Sequence, residues 1–305
     1  MTTAASATAP AAGRSHMRSR LALYRKPLIV GFSAFGVVIL AWLLLIVGPA
    51  QGTIGFDAYA YWAAPVQHPY AAPLGTVGSF TYSPAVALAF APARLLSFGA
   101  FYIVWASFLA VNLVWLTRRY ALLWLAILPV PLELYHANVN LLLATVCVLG
   151  LRYPALWSIA LLTKVTPGIG LLWFLVRGEW RSLAIALATT AAIAAVSFVV
   201  APGAWFDWIH FLSNSSATGA VENNTYQWLF PPLWLRLIGA AALIVWGART
   251  DRRWVLPVAI TVAMPVIWIT SPAILTAIPR LRRPEDPVEP VPSATLSPTA
   301  PQPSA

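Results

Sequence analysis

Residues 28–48 form a run of about 21 positions without one charged side chain, and this run limits the possible folds more than any other feature. As a helix it is long enough to cross a hydrocarbon core of about 30 Å. It is too long for the apolar stretch of a cleaved signal, so it is expected to stay as an anchor. Further apolar segments follow at 82–98, 101–116, 121–134, 139–150, 154–176, 183–200, 229–246 and 254–278. A water-soluble core in a chain of 305 residues does not require 60% hydrophobic and only 9% charged residues. The expected fold is therefore all-α: a polytopic integral membrane bundle with about 8 to 10 transmembrane or re-entrant helices.

The net charge of +10 does not point to nucleic acid, because the basic residues stand in short clusters between apolar runs, where a positive-inside bias explains them. Residues 1–27 carry Arg14, Arg18, Arg20, Arg25 and Lys26 without an acid and read as an unstructured cytoplasmic tail. Residues 28–278 form the membrane domain, and 279–305, rich in Pro, Ser and Thr, read as a second unstructured tail. The arginines at 118–119, 152, 177–181 and 249–253 are expected on the cytoplasmic side, which puts the loops 49–80, 136–140, 164–167 and 201–228 outside. This scheme asks residues 80–116 for an odd number of crossings and leaves the arginines at 280–283 on the opposite side.

Several runs are broken by proline, at Pro129, Pro131, Pro167, Pro231, Pro232 and Pro265. In lipid an unpaired backbone group costs several kcal/mol, so such breaks belong where protein covers them or where they line a cavity. Broken helices favour a bundle with a site over a passive anchor.

The nine carboxylates allow elimination. Glu285, Asp286 and Glu289 lie in the tail, and Glu179 and Asp251 stand among arginines. Of the other four, Asp207 and Glu222 occupy a loop, and Glu133 ends a short apolar segment as a capping or pairing acid. Asp57 has the least ordinary setting, between Phe56 and Ala58-Tyr59-Ala60-Tyr61-Trp62, directly after the first span. An acid among aromatics suggests a site, although aromatics at an interface equally form a membrane belt.

Three polar clusters interrupt the apolar pattern. His136-Ala137-Asn138-Val139-Asn140 offers an imidazole and two amides, suited to hydroxyl recognition or to helix capping. Lys164 is the one lysine beyond the N-terminal tail, and an ammonium within an apolar region is either functional, with a phosphate or Asp57 as partner, or snorkels to the interface. Arg236 suits a lipid phosphate, and equally a structural ion pair or snorkelling to the interface. Neither HExxH, Walker A, GxGxxG nor GxSxG occurs, and Cys147 is a lone thiol within an apolar run. No metal or other cofactor is expected.

In their order these pieces resemble glycosyltransferase family 87. The first span is followed by Phe56-Asp57-Ala58-Tyr59 with Tyr61-Trp62, then Pro69-Tyr70 and Thr81-Tyr82-Ser83-Pro84. His136-Ala137-Asn138-Val139-Asn140 is similar to the family's Gly-Gln-Val-Asn element, Lys164-Val165-Thr166-Pro167 to its Lys-x-Thr-Pro turn, and Asn223-Asn224-Thr225, more weakly, to its Asn-Gln-Ser stretch. The resemblance covers roughly residues 28–250 and implies a GT-C-type membrane enzyme, C-terminally short beside its usual members. Such an enzyme moves mannose, with inversion, from polyprenyl-phosphate-mannose to a glycolipid or polysaccharide acceptor at the outer face of the plasma membrane. The family's acid in the first outer loop is the general base, which carries over to Asp57. Lys164 and then Arg236 are expected to bind the donor phosphate, and Tyr59, Tyr61, Tyr82, His136, Asn138, Asn140, Asn223 and Asn224 to bind sugar or acceptor. Two other functions share the sequence features: a transporter or flippase of a lipid-linked sugar, and a non-catalytic relative of the enzyme.

Overall fold

The computed structural model describes residues 11–73, 75–217 and 229–282, and among these the only regular structure is helical. Helix α1 (Ala11–Trp42) continues through a π turn at Leu43–Val47 and a last turn at Gly48–Gln51. It begins ahead of the apolar run: residues 11–27, expected as an unstructured tail, are helical, as a stretch of alanine, leucine, methionine and arginine favours. Much of its apolar surface finds no protein partner, with Val30 68% and Leu45 71% exposed, and such a surface belongs against acyl chains. A left-handed Gly52 ends this element.

A short helix, α2 (Phe56–Ala63), follows at once. Then come α3 (Pro84–Phe90), α4 (Phe98–Thr117), α5 (Pro129–His136), α6 (Asn140–Leu149) and α7 (Trp157–Thr163). After a 3-10 segment at Thr166–Leu171 the chain forms α8 (Trp180–Val200), and Pro202–Ala217, expected as loop, is helical and carries Asp207; beyond the undescribed residues 218–228 come α9 (Leu233–Arg249) and α10 (Val255–Ala263). The described chain closes with a 3-10 segment at Ser271–Ala277 and a helical turn at Ile278–Leu281, so the expected C-terminal tail starts helical at its first residues; 283–305 lie outside the described residues.

Among the described residues three stretches are long and apolar enough to cross a membrane: Lys26–Gln51, Phe98–Trp124 and Trp180–Val200. The pair α5 and α6, bent by 109°, makes a fourth if taken as one broken span. Pro84–Leu95, Pro154–Thr163 and Thr166–Arg177 are apolar but only 10–17 residues long. Of the 8 to 10 spanning or re-entrant helices expected, three or four among the described residues have spanning length, and the others are shorter pieces. Proline opens each of the three short pieces: Pro84 and Pro154 stand at their first positions, where the missing N–H costs nothing and Ser83 and Tyr153 are held out of the helix, and Pro167 is second in Thr166–Leu171.

The short pieces form the interior. α6 packs on Ser271–Ala277, α9 on α10, and α8 on α7 and α3. Trp157, Tyr61, Tyr135, Phe80 and Phe174 are the largest fully buried side chains, and Cys147 lies buried among them in the core. Glu179 and Asp251, read as partners of arginines, both bind Arg177, at 2.7 and 2.9 Å. Arg280 donates to the Trp115 carbonyl and covers its ring, which ties the C-terminal end of the described chain to α4.

Candidate active site

Asp57 sits in the first turn of α2, and that helix is held at both ends. At its start Gly55, at φ +67°, donates its N–H to the Tyr135 carbonyl at 2.9 Å, and the Thr53 hydroxyl meets the Tyr135 hydroxyl at 2.5 Å. A side chain at 55 would meet the Tyr102 ring, so the left-handed turn and the close approach both require glycine there. At the other end Arg94 donates to the Trp62 and Ala63 carbonyls, satisfying groups the helix end leaves open. A helix fixed in this way repeats every 3.6 residues. Tyr61, four after Asp57, shares its face, while Tyr59 packs on Trp62 and Phe98 instead.

Opposite Asp57 stands the break between α5 and α6. Ala137, in the left-handed region at φ +54°, turns the chain, and Trp105 Nε1 holds its carbonyl at 2.9 Å. The turn projects the two amides in different directions. Asn138 donates through Nδ2 to Asp57 Oδ2 at 2.8 Å, and its Oδ1 accepts the Val139 N–H at 2.6 Å. Asn140 donates through Nδ2 to Glu133 Oε2 at 2.8 Å and to Thr270 Oγ1 at 3.3 Å, while its Oδ1 accepts from Lys164 Nζ at 3.1 Å. Glu133, fully buried, accepts the Asn140 and Leu141 N–H groups on Oε1, at 2.5 and 3.2 Å. It satisfies donors that the N-terminus of α6 would otherwise leave bare.

The resulting site has an acid at one side and an ammonium at the other. Burial raises the Asp57 carboxyl above its ordinary range; the charge of His136, the hydrogen bond from Asn138 and the charge of Lys164 oppose that rise. Asp57 Oδ1 makes no protein hydrogen bond among the described residues, which leaves it open to a ligand hydroxyl. Lys164 caps α7 in extended conformation at φ −143°, and two of its three N–H donors remain after Asn140. His136 Nδ1, Ser83 Oγ and Thr166 Oγ1 are buried without a hydrogen-bond partner among the described residues. Tyr61 and Tyr82 join hydroxyls at 2.9 Å close enough to Asp57 to feel its charge.

The structure thus brings together Asp57, Tyr61, Tyr82, His136, Asn138, Asn140 and Lys164. It does not join Tyr59 to them, and Asn223 and Asn224 lie outside the described residues. Arg236, 7% exposed, donates to the carbonyls of Pro231, Val262, Met264 and Pro265, so four of its five N–H donors bind the broken ends of α9 and α10. Thr270 was not marked by the sequence, and nothing local in it signals a role. Among the described residues no three His, Cys, Asp or Glu side chains are placed to hold a metal ion.

Beside the polar site, α3 and α8 enclose an apolar groove of about 350 Å³, lined by Ala85, Leu88, Ala89, Ala192, Ile193, Val196 and Ser197. It starts three residues after Tyr82. Val196 on its wall is 62% exposed, so the groove lies at the apolar outer surface of the bundle.

Comparison with known proteins adds two findings. The family model described as Glycosyltransferase family 87 matches residues 80–289. The chain is also similar to the polyprenol-phosphate-mannose-dependent alpha-(1-2)-phosphatidylinositol mannoside mannosyltransferase of Mycobacterium tuberculosis, 27% identical over 235 residues that make up 64% of this chain and 53% of that protein. The chain therefore spans about half the length of this relative. No solved structure matches it.

Proposed function

The chain belongs to glycosyltransferase family 87, and from that membership we propose that it is a membrane hexosyltransferase that takes mannose from polyprenyl-phosphate-mannose. The acceptor is a hydroxyl of a glycolipid or polysaccharide, the transfer inverts the anomeric centre, and the site faces outward from the plasma membrane. The observation that carries this reading is the turn Asn138-Val139-Asn140, which binds the carboxylate of Asp57 with one amide and the ammonium of Lys164 with the other.

Direct displacement at a sugar carbon needs a base for the incoming hydroxyl and a cationic site for the departing phosphate. Asp57 Oδ1 takes the acceptor's proton as the acceptor oxygen bonds to the anomeric carbon. The bond from that carbon to the phosphate oxygen breaks, and polyprenyl phosphate leaves with the electron pair. Its added charge meets the two free donors of Lys164. His136 Nδ1, Ser83 Oγ and Thr166 Oγ1, buried without protein partners, are suited to sugar or phosphate oxygens. The groove between α3 and α8 takes the first isoprene units, since the same short segment supplies Tyr82 to the polar site and Ala85, Leu88 and Ala89 to the groove. The basic clusters at 118–119, 177–181 and 249–253, through the positive-inside bias, support an outward position for α2 and Asp57.

The test is transfer of radiolabelled mannose from polyprenyl-phosphate-mannose to membrane glycolipids, with wild type and Asp57→Asn expressed in a strain lacking the protein. Labelling by wild type alone is the expected result. Absence of labelling by wild type removes the donor assignment, and equal labelling by both removes the base.

A further inference from the structure

Asn140 stands between two groups of opposite kind. Its Nδ2 donates to Glu133 Oε2 at 2.8 Å and its Oδ1 accepts from Lys164 Nζ at 3.1 Å. An amide has two inequivalent ends, and which end faces Lys164 depends on what the other end meets. As a carboxylate Glu133 accepts on both oxygens, from the Asn140 and Leu141 backbone on Oε1 and from the Asn140 side chain on Oε2, and in that form it presents only acceptors. Only one orientation of the Asn140 amide then satisfies both neighbours: nitrogen to the carboxylate, oxygen to the ammonium.

From this we infer that Glu133 is a positioning residue for Lys164, acting through Asn140. It turns the Asn140 carbonyl oxygen toward the ammonium, and that bond fixes where the remaining Lys164 donors point. The capping of α6 by Oε1 is a separate task of the same side chain. The consequence for donor binding rests on the phosphate-binding role proposed above for Lys164; the geometry of the relay does not.

The two tasks separate in Glu133→Gln. Glutamine keeps an oxygen for the Asn140 and Leu141 backbone, so the cap survives, but it sets an NH₂ against the Asn140 NH₂. The Asn140 amide turns over, and Lys164 loses its acceptor. Asn140→Asp sets two carboxylates against each other and fails for a different reason. The double variant exchanges carboxylate and amide: Gln at 133 donates to Asp at 140, whose second oxygen accepts from Lys164, and the net charge is that of the wild type. A residue that served only as a cap gives no loss in Glu133→Gln and no rescue in the double variant.

The chain has two lysines, Lys26 and Lys164, so protein labelled with 13Cε-lysine gives two resonances, one of them a remote reference. In detergent, Lys164 Cε is expected to shift in each single variant and return in the double, while Lys26 stays unmoved. The KM for polyprenyl-phosphate-mannose is expected to rise about tenfold in Glu133→Gln, with kcat changed far less, and to recover in the double variant. An unmoved Lys164 resonance in Glu133→Gln, or a double variant that behaves like the singles, overturns the inference. Wild type that transfers no mannose overturns the transferase reading instead, and the resonances still decide the relay.

Discussion

Asn138 binds Asp57 Oδ2 at 2.8 Å with its nitrogen while its oxygen accepts the Val139 N–H at 2.6 Å, so this amide cannot turn over without losing both bonds. The carboxylate therefore meets a donor of fixed direction. A hydrogen bond to a charged group contributes about 1.5–3 kcal/mol. It favours the ionised acid, so Asn138→Ala is expected to raise the Asp57 pKa further. The check is the pH profile of mannose transfer, whose acidic limb should move to higher pH in the variant.

The same profile in wild type tests the burial of Asp57. In the proposed mechanism Asp57 works ionised, and burial raises this carboxyl above its ordinary 3.8, so activity should fall as pH drops through that raised value. Stability moves the other way. The folded state holds this proton more tightly than the unfolded one, so the group's contribution is fully present below 3.8 and is lost as pH rises through the folded value. Asp57→Asn, which keeps an oxygen for Asn138, should thus melt no lower than wild type at neutral pH while losing transfer.

Gly55 and Gly52 separate backbone strain from contact. Both have positive φ, +67° and +66°, but a side chain at 55 meets the Tyr102 ring and one at 52 meets nothing. Gly52→Ala should cost only the left-handed penalty of about 1–2 kcal/mol. Gly55→Ala should cost more and also reduce transfer, because α2 carries Asp57. Thermal melts and transfer rates of the two variants make the comparison.

Arg236 gives a prediction of the opposite kind. Its guanidinium serves four carbonyls at the breaks of α9 and α10. Arg236→Met leaves these without donors and should destabilise the fold by on the order of 3 kcal/mol. Arg236→Lys, with three donors on a single nitrogen, should recover only part of that loss. Melting in detergent measures both, and an unchanged melting temperature in the methionine variant would contradict the clamp.

The groove is tested by filling it. Ala192→Trp should raise the KM for a long polyprenyl donor about tenfold and leave a short-chain donor nearly unaffected. Equal effects on the two donors would show that the isoprene chain lies elsewhere.

The sequence marked the acid after the first span, the two amides at 138 and 140, and the lysine before Pro167. These are legible because a polar group in an apolar segment stands out. Glu133 was legible as a capping or pairing acid, but the groups it meets were not. Glu133 and Asn140 are seven residues apart, a spacing that places them together only once Ala137 takes a left-handed turn, and Thr270 lies 130 residues further on. Tyr59 was grouped with Tyr61 because the segment was read as a loop; as a helix it divides them between two faces. Arg236 could be read as a phosphate ligand because the carbonyls it meets come from proline breaks in two different helices. The lengths of the individual helices were not legible for a related reason, since hydropathy registers apolar length and not where proline divides it.

The groove between α3 and α8 has one more consequence. Its walls are alanine, leucine, isoleucine and valine at the bundle's apolar surface, where the surrounding solvent is acyl chain. A lipid substrate entering there arrives by lateral diffusion in two dimensions. If the proposed donor enters there, occupancy follows its mole fraction among the lipids, and diluting the membrane with inert lipid should slow transfer even when the donor's bulk concentration is held constant.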